Sequence, residues 1–355
     1  MITSIKIKKL WGINSFNIKL EDNKIIIVAE NGEGKTVLLR LIFYFLSKQW
    51  DKLSEYDFQS ITMTISGKEY TVDRLNMSHS ITPNQIKIIS DKYPIYKDFI
   101  NKGLRILLKE NKLTDLKNPF KIKKFAFEHS ISESILENII QDILELKYKQ
   151  YNFDFDIPIL FLPTYRRIEQ DFGRIFQELK YKKDTEEENL TAIWDNISPE
   201  RWETRNKSLE LVEFGLKDIE FKLNKAIESN NIEIVKAFVN KCNSFFVNKL
   251  LFLDKAKVKV KLTKNNTIHE LNQQDIFSSG EKQIISIFFY LFLNSEKYFL
   301  IFDEPELSIS IRWQERLLNE LSEVCLGYVV ATHSHSIVTD EQEKYLFSVD
   351  ELSVK

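Results

Sequence analysis

The chain has 355 residues, 43% of them hydrophobic and 29% charged, with a formal net charge of −2 at pH 7. That length can bury a large core in one or two domains, and the near-neutral balance excludes a protein that works mainly as a polycation while leaving room for a local basic surface. Cys242 and Cys325 stand far apart with no metal-ligand spacing, which predicts reduced, buried thiols in a cytoplasmic setting.

The N-terminus, Met1-Ile2-Thr3-Ser4-Ile5-Lys6, alternates like a strand and has no signal-peptide block. No uninterrupted apolar run reaches the ~18 residues of a spanning helix, so no membrane partner is expected. Ile2 to Ile7 and Phe16 to Leu20 read as half-buried strands, and Ile25 to Ala29 as a strand covered on both faces. A glycine-containing loop follows, then an apolar helix from Val37 to Leu46 and a hairpin pairing Ile61–Ile65 with Tyr70–Val72.

Beyond Pro83 helical periodicity takes over. Ile131, Ile135, Leu136, Ile139 and Ile143 share one face, as do Leu209, Val212, Leu216, Ile219, Leu223 and Ala226, and Ile234, Phe238, Cys242 and Phe245. Ser198-Pro199-Glu200 has the form of a helix start. Asp156 to Leu162 interrupts as a buried strand, and Val258 and Val260 alternate with lysines in another. Toward the end, Phe299–Asp303, Tyr328–Ala331 and Tyr345–Val349 supply strands, with a helix through Trp313, Leu317, Leu318 and Leu321 between the first two. The expected fold is α/β: a nucleotide-binding core with a mixed central sheet, a phosphate loop and an antiparallel β flap. Residues 1–82 and 271–355 form that core, and 83–270 a mainly helical insertion with a core strand near 157–162.

Four segments carry chemistry. Ala29-Glu30-Asn31-Gly32-Glu33-Gly34-Lys35-Thr36-Val37 fits a phosphate-binding loop with alanine in place of the leading glycine. Backbone N–H groups of Asn31, Gly32, Gly34 and Val37 would converge on phosphates, Lys35 would reach the β/γ-phosphates, and the Thr36 hydroxyl would bind Mg²⁺. Phe299 to Phe302 ends in Asp303 and Glu304, two acids that a buried strand carries only for a reason. Asp303 fits a Mg²⁺ shell and Glu304 the polarisation of an attacking water, against the alternative of a plain turn at Glu304-Pro305. Ser278-Ser279-Gly280-Glu281 precedes an apolar helix; it suits a γ-phosphate, a helix cap, or both. His333, at the end of Tyr328 to Thr332, is placed to hydrogen-bond a γ-phosphate, whereas His335 reads as a solvated turn residue.

These segments resemble the Walker A, signature, Walker B and switch-histidine motifs of ATP-binding cassette (ABC) ATPases, in the SMC/RecF/OLD-like branch. Ser278-Ser279-Gly280-Glu281-Lys282-Gln283 is similar to that branch's signature, and Asp303-Glu304-Pro305-Glu306-Leu307-Ser308 to its Walker B and D-loop, with Ser310 where a histidine is frequent. Leu162 to Gln170 also resembles a segment of small anti-phage defence ATPases such as the Septu and PARIS subunits. The resemblance offers Gln170 as a Q-loop residue sensing Mg²⁺. Arg166 and Arg167 stand as phosphate or partner contacts or as a solvated basic turn.

The resemblance implies a cytoplasmic ATPase using ATP and Mg²⁺, in a head-to-tail homodimer or higher homo-oligomer. Lys35, Glu304 and His333 would be catalytic, facing Ser278, Ser279, Gly280 and Glu281 of a second copy. Walker A and signature lie further apart than in a transporter cassette, and the insertion is too short for a long coiled arm. The chain ends soon after His333, with no room expected for an appended nuclease, so a nuclease or toxin effector would be a separate protein. The implied role is an anti-phage switch; the alternatives are a RecF-like repair ATPase acting on DNA and an assembly scaffold with little turnover. The stretch Lys97, Lys102, Arg105, Lys109, Lys112, Lys117, Lys121, Lys123 and Lys124 is either a solvated face or a seat for a DNA backbone. The alternating Lys255, Lys257, Lys259, Lys261 and Lys264 leave the same choice.

Overall fold

The computed structural model describes residues 1–30, 32–77, 81–101, 119–163, 208–210, 216–293 and 296–354. Asn31, Arg166, Arg167, Gln170, the Ser198-Pro199-Glu200 start, Val212, and Lys102, Arg105, Lys109, Lys112 and Lys117 of the basic stretch lie outside them. In chain order the strands are β1 (Ile2–Leu10), β2 (Asn14–Lys19), β3 (Lys24–Val28), β4 (Ser60–Ile65), β5 (Lys68–Asp73), β6 (Ile159–Leu162), β7 (Ser208–Glu210), β8 (Lys249–Asp254), β9 (Lys257–Leu262), β10 (Ile268–Glu270), β11 (Phe299–Asp303), β12 (Gly327–Thr332), β13 (Leu346–Ser348) and β14 (Ser353–Val354). The longer helices are α1 (Lys35–Leu46), α2 (Pro83–Lys92), α3 (Pro119–Glu128), α4 (Glu133–Lys147), α5 (Leu216–Glu228), α6 (Ile232–Phe245), α7 (Ser279–Leu293) and α8 (Ile311–Val324).

The chain divides into two compact units. One comprises Met1–Lys19, Tyr44–Phe155 and Leu352–Lys355; the other Leu20–Phe43 and Asp156–Glu351. In the first, a five-stranded antiparallel sheet runs in the order β14-β2-β1-β4-β5. Alternation places Ile5 and Ile7 of β1 and Ile61 and Met63 of β4 in the core, as period-two patterning requires. Phe45, Trp50, Tyr70, Tyr151, Phe153 and Phe155 form an aromatic group within this unit. Helix α2 begins at a full capping box, with Thr82 and Gln85 bonded reciprocally and Pro83 at the first turn. Helix α4 is capped by Ser132 and buries Leu136, Ile139 and Ile143, the face its periodicity predicts.

The second unit holds a six-stranded sheet in the order β13-β3-β12-β11-β6-β7, in which each neighbouring pair is parallel. The strand directions expected to mix within one central sheet are thus separated among the described residues, where this sheet is parallel and the antiparallel pairs lie in other sheets. Its middle strands are buried on both faces, including Ile25, Ile26 and Ile27, all of β11 and all of β12, the condition under which parallel strands read as continuous apolar runs. Leu209 sits in β7, opposite Leu160, not on the helical face its spacing suggests; helix begins only at Leu216. A short apolar run does not distinguish strand from helix by period alone.

A three-stranded antiparallel sheet, β10-β9-β8, lies in the same unit. Leu251, Val258 and Val260 from it join one core with Leu216, Ile219 and Leu223 of α5, Phe238 and Cys242 of α6, Ile284 and Phe288 of α7, and Leu317 and Leu321 of α8. Both cysteines are free and buried; burial raises the Cys242 thiol well above its ordinary value and pushes Cys325 up to about 11. Parallel registers set Val28, Asp303 and Thr332 at one edge of the large sheet, with Asp303 opposite Ala331 and Thr332 opposite Val28. The carboxyl edge of such a sheet is where open α/β folds bind ligands.

Candidate functional site

Between β3 and α1 the loop turns on Gly32 and Gly34, at φ 92° and 84°. Only glycine adopts such angles without steric cost. Ala29 is not among the positive-φ residues, which is why alanine is tolerated where the common pattern has glycine. A Cβ on Gly32 would meet nothing within 4 Å, so this glycine is present for conformation and not for space. Glu33 closes the loop by accepting from the Glu30 N–H at 2.9 Å.

Lys35 opens α1. Its ammonium donates to the carbonyls of Ala29 and Glu30 at 2.7 and 2.8 Å. Burial lowers its pKa, opposed by the carboxylates of Glu304, Glu33, Asp303 and Glu306; a phosphate arriving there would meet a buried, incompletely compensated cation. Next to it the Thr36 hydroxyl donates to Asp303 Oδ2 at 2.9 Å, joining positions 267 residues apart. Val37 lies in the same first turn, half-buried.

Asp303 ends β11 and is 1% exposed. Glu304 follows at φ 53°, a left-handed conformation costing about 1–2 kcal/mol for a non-glycine residue. Its N–H donates to Ala331 O at 2.8 Å, continuing the ladder to β12, and its Oε1 lies 3.4 Å from His333 Nε2. The plain-turn alternative at Glu304-Pro305 is thus physically true as backbone, and the turn aims one carboxylate at the histidine. Backbone strain of this kind clusters at functional sites.

The signature segment is a helix cap in fact. Ser278 Oγ accepts from the Glu281 N–H at 3.3 Å, and Glu281 Oε2 accepts from the Ser278 N–H at 2.7 Å, a complete capping box. Glu281 is also paired with Lys249 of β8 at 2.5 Å, so its carboxylate is committed within its own chain. Gly280 is buried, and a Cβ there would lie 2.2 Å from the Ser308 carbonyl oxygen; this glycine exists for close approach. Gln283, 3% exposed, donates to Pro305 O at 3.4 Å. Among the described residues, no hydrogen bond or ion pair joins Ser278, Ser279 or Gly280 to Lys35, Thr36 or His333.

Two further residues escape a reading of motifs alone. Glu306 accepts from the His333 N–H and the Thr332 hydroxyl at 2.7 and 2.8 Å. Gln314, 8% exposed, donates to the carbonyls of Glu306 and Ile309 at 3.3 and 3.1 Å and accepts from Ser334 Oγ at 2.7 Å. The available signals were a third acid in the Asp303–Glu306 run and a glutamine on the apolar face of α8 with Leu317, Leu318 and Leu321. His335 is exposed.

The donors fit Mg²⁺. Thr36 hydroxyl and Asp303 carboxylate are hard oxygen ligands already held together, and among the described residues no group of three or more His, Cys, Asp or Glu could form a protein-only metal cage. Mg²⁺ takes one or two protein oxygens and completes its shell with phosphate and water.

A parallel α/β sheet with a glycine loop, an invading lysine and a strand-end acid pair at one edge defines a P-loop ATPase domain. The chain belongs to the family described as "AAA domain, putative AbiEii toxin, Type IV TA system", which matches residues 30–339. None of the curated proteins matches the sequence. Among solved structures, an Smc head bound to the C-winged helix domain of ScpA is similar at 12% identity, with 99% of this chain and 95% of that one covered and a TM-score of 0.41. The Smc head with an extended coiled coil bound to the C-terminal domain of ScpA, derived from Pyrococcus furiosus, is similar at 15% identity, covering 99% and 94%, with a TM-score of 0.40. An Smc head with a coiled coil and joint, from Pyrococcus yayanosii, is similar at 13% identity, covering 99% and 96%, with a TM-score of 0.39. Among the described residues no helix is long and apolar enough to cross a membrane.

Proposed function

We propose that this protein binds and hydrolyses ATP with Mg²⁺ at a site completed by a second copy of itself, and works as a switch that closes on ATP and opens on hydrolysis. The observation that supports the reading is the Thr36–Asp303 hydrogen bond of 2.9 Å, which joins two oxygen groups suited to Mg²⁺ from opposite ends of the chain.

Thr36 and Asp303 would hold Mg²⁺, which would supply charge neutralisation to the nucleotide's phosphates. The N–H groups of the loop and of the start of α1 hold the phosphates, and Lys35 exchanges its carbonyl partners for phosphate oxygens. Glu304 orients and polarises the attacking water, with His333 at 3.4 Å fixing that carboxylate and reaching the γ-phosphate. The hydroxyls of Ser278 and Ser279 and the N–H groups of Ser279 and Gly280, at a helix start with no bond to this half of the site, face the partner's γ-phosphate, while the Ser278 N–H stays in its cap with Glu281. Binding then favours the closed pair, and loss of the γ-phosphate releases it.

The biological reading is a defence ATPase working with a separately encoded nuclease or toxin, supported by the family description and the motif resemblance. A DNA ligand has less support. Lys259 of the β9 lysine row is paired with Asp254 and Glu270 at 2.8 and 3.7 Å, which favours a compensated exposed face over a phosphate groove. In the other basic stretch, Lys97, Lys123 and Lys124 are exposed.

Glu304→Gln decides the switch model. With hydrolysis blocked, the variant should form an ATP-dependent dimer on size-exclusion chromatography with light scattering. A strictly monomeric variant at saturating ATP would sink the model.

A further inference from the structure

We propose that Glu306 is a positioning residue for hydrolysis, clamping the switch histidine against Glu304. The proposal rests on reading Glu304 and His333 as hydrolytic groups. Two glutamates follow Asp303, and both reach His333, but through different atoms. Glu304 Oε1 faces the ring Nε2 at 3.4 Å. Glu306 Oε1 instead takes the backbone N–H of His333 at 2.7 Å, and its Oε2 takes the Thr332 hydroxyl at 2.8 Å.

Strand β12 ends at Thr332, so the His333 N–H stands just beyond the ladder and needs another acceptor. Glu306 supplies it. The Thr332 hydroxyl, buried and donating to Glu306, accepts in turn from the Ser334 N–H at 3.0 Å, which sets residues 332, 333 and 334 in one fixed run. Gln314 adds a second tie, from the carbonyls of Glu306 and Ile309 to Ser334 Oγ. The loop from Glu304 to Ser310 and the segment Thr332–Ser334 are therefore joined twice.

Each oxygen of Glu306 already accepts from a donor of the segment that carries His333, so the residue acts through His333. Its charge is dispensable where its geometry is not. A glutamine can keep both contacts, its carbonyl accepting from His333 N–H and its amide donating to Thr332 Oγ1; an alanine keeps neither.

The test compares Glu306→Gln, Glu306→Ala and Glu304→Gln in the full chain, by steady-state ATP turnover with Mg²⁺ and by the His333 amide resonance in protein labelled with ¹⁵N-histidine, which has five histidines to assign. Glu306→Gln is expected to keep kcat within about threefold and the His333 resonance near its place. Glu306→Ala is expected to lose about 10–100-fold in kcat with KM little changed, and to shift the resonance, as a misplaced group would. Wild-type kcat in Glu306→Ala, or Glu306→Gln as inactive as Glu304→Gln, would overturn the proposal. Should Glu304→Gln turn over like wild type, the hydrolytic reading fails by itself. The clamp then stands or falls on the amide: a shift in Glu306→Ala but not in Glu306→Gln upholds it, and an unmoved resonance overturns it.

Discussion

The phosphate loop before α1 and the signature loop before α7 are both glycine-bearing helix starts, yet their glycines answer different demands. Gly32 holds φ 92° in open space, and nothing would touch a Cβ there. Gly280 has no such angle, but a Cβ would be driven to 2.2 Å from the Ser308 carbonyl. One glycine lets the backbone turn where a side chain would be strained; the other lets a helix start press on the loop that follows β11. The same contrast runs through the side chains. Lys35 and Thr36 reach across to their own sheet edge, whereas Ser278 and Glu281 cap each other at the helix start that the proposed function turns toward a second copy.

That comparison breaks most sharply at Lys35. Lys35→Ala should abolish nucleotide binding by the isolated chain, read by fluorescent-nucleotide titration, and lower turnover by about a thousandfold or more. Ser279→Arg should lower turnover by about a hundredfold while leaving nucleotide affinity of the single chain within about twofold, since its loss falls on the partner's phosphate. Equal loss of binding in both variants would place both loops on one nucleotide and remove the distinction. The smallest effects sharpen the difference between the glycines. Gly280→Ala is expected to destabilise by about 1–3 kcal/mol through overpacking and Gly32→Ala by about 1–2 kcal/mol through backbone strain, measured by urea unfolding. Relocation of Ser308 should accompany only the first.

How much of this was legible in the sequence follows from what each residue depends on. The P-loop, Asp303, Glu304 and His333 are local runs at strand ends, and strands buried on both faces announce themselves as apolar runs such as Ile25 to Val28. Glu306 and Gln314 were not legible as parts of the candidate site, because their contacts form only when the loop after β11 meets the end of β12. Leu209 was misread because its spacing to Val212 and Leu216, three residues and then four, is that of a helix face, while Ser208–Glu210 pairs with β6 as a short strand. Of the lysines of β9, Lys259 became interpretable once Asp254 and Glu270 lay within ion-pair distance of it.

The central claim is that one ATP is handled by two chains. The direct measurement is ATP turnover of a mixture of Lys35→Ala and Ser279→Arg, each inactive alone. In a mixed dimer one composite site pairs the intact P-loop of the second with the intact signature of the first, so random mixing should recover about a quarter of wild-type activity in a two-fold dimer. A mixture as inactive as either parent, under conditions where mixed dimers are shown to form, would contradict the account.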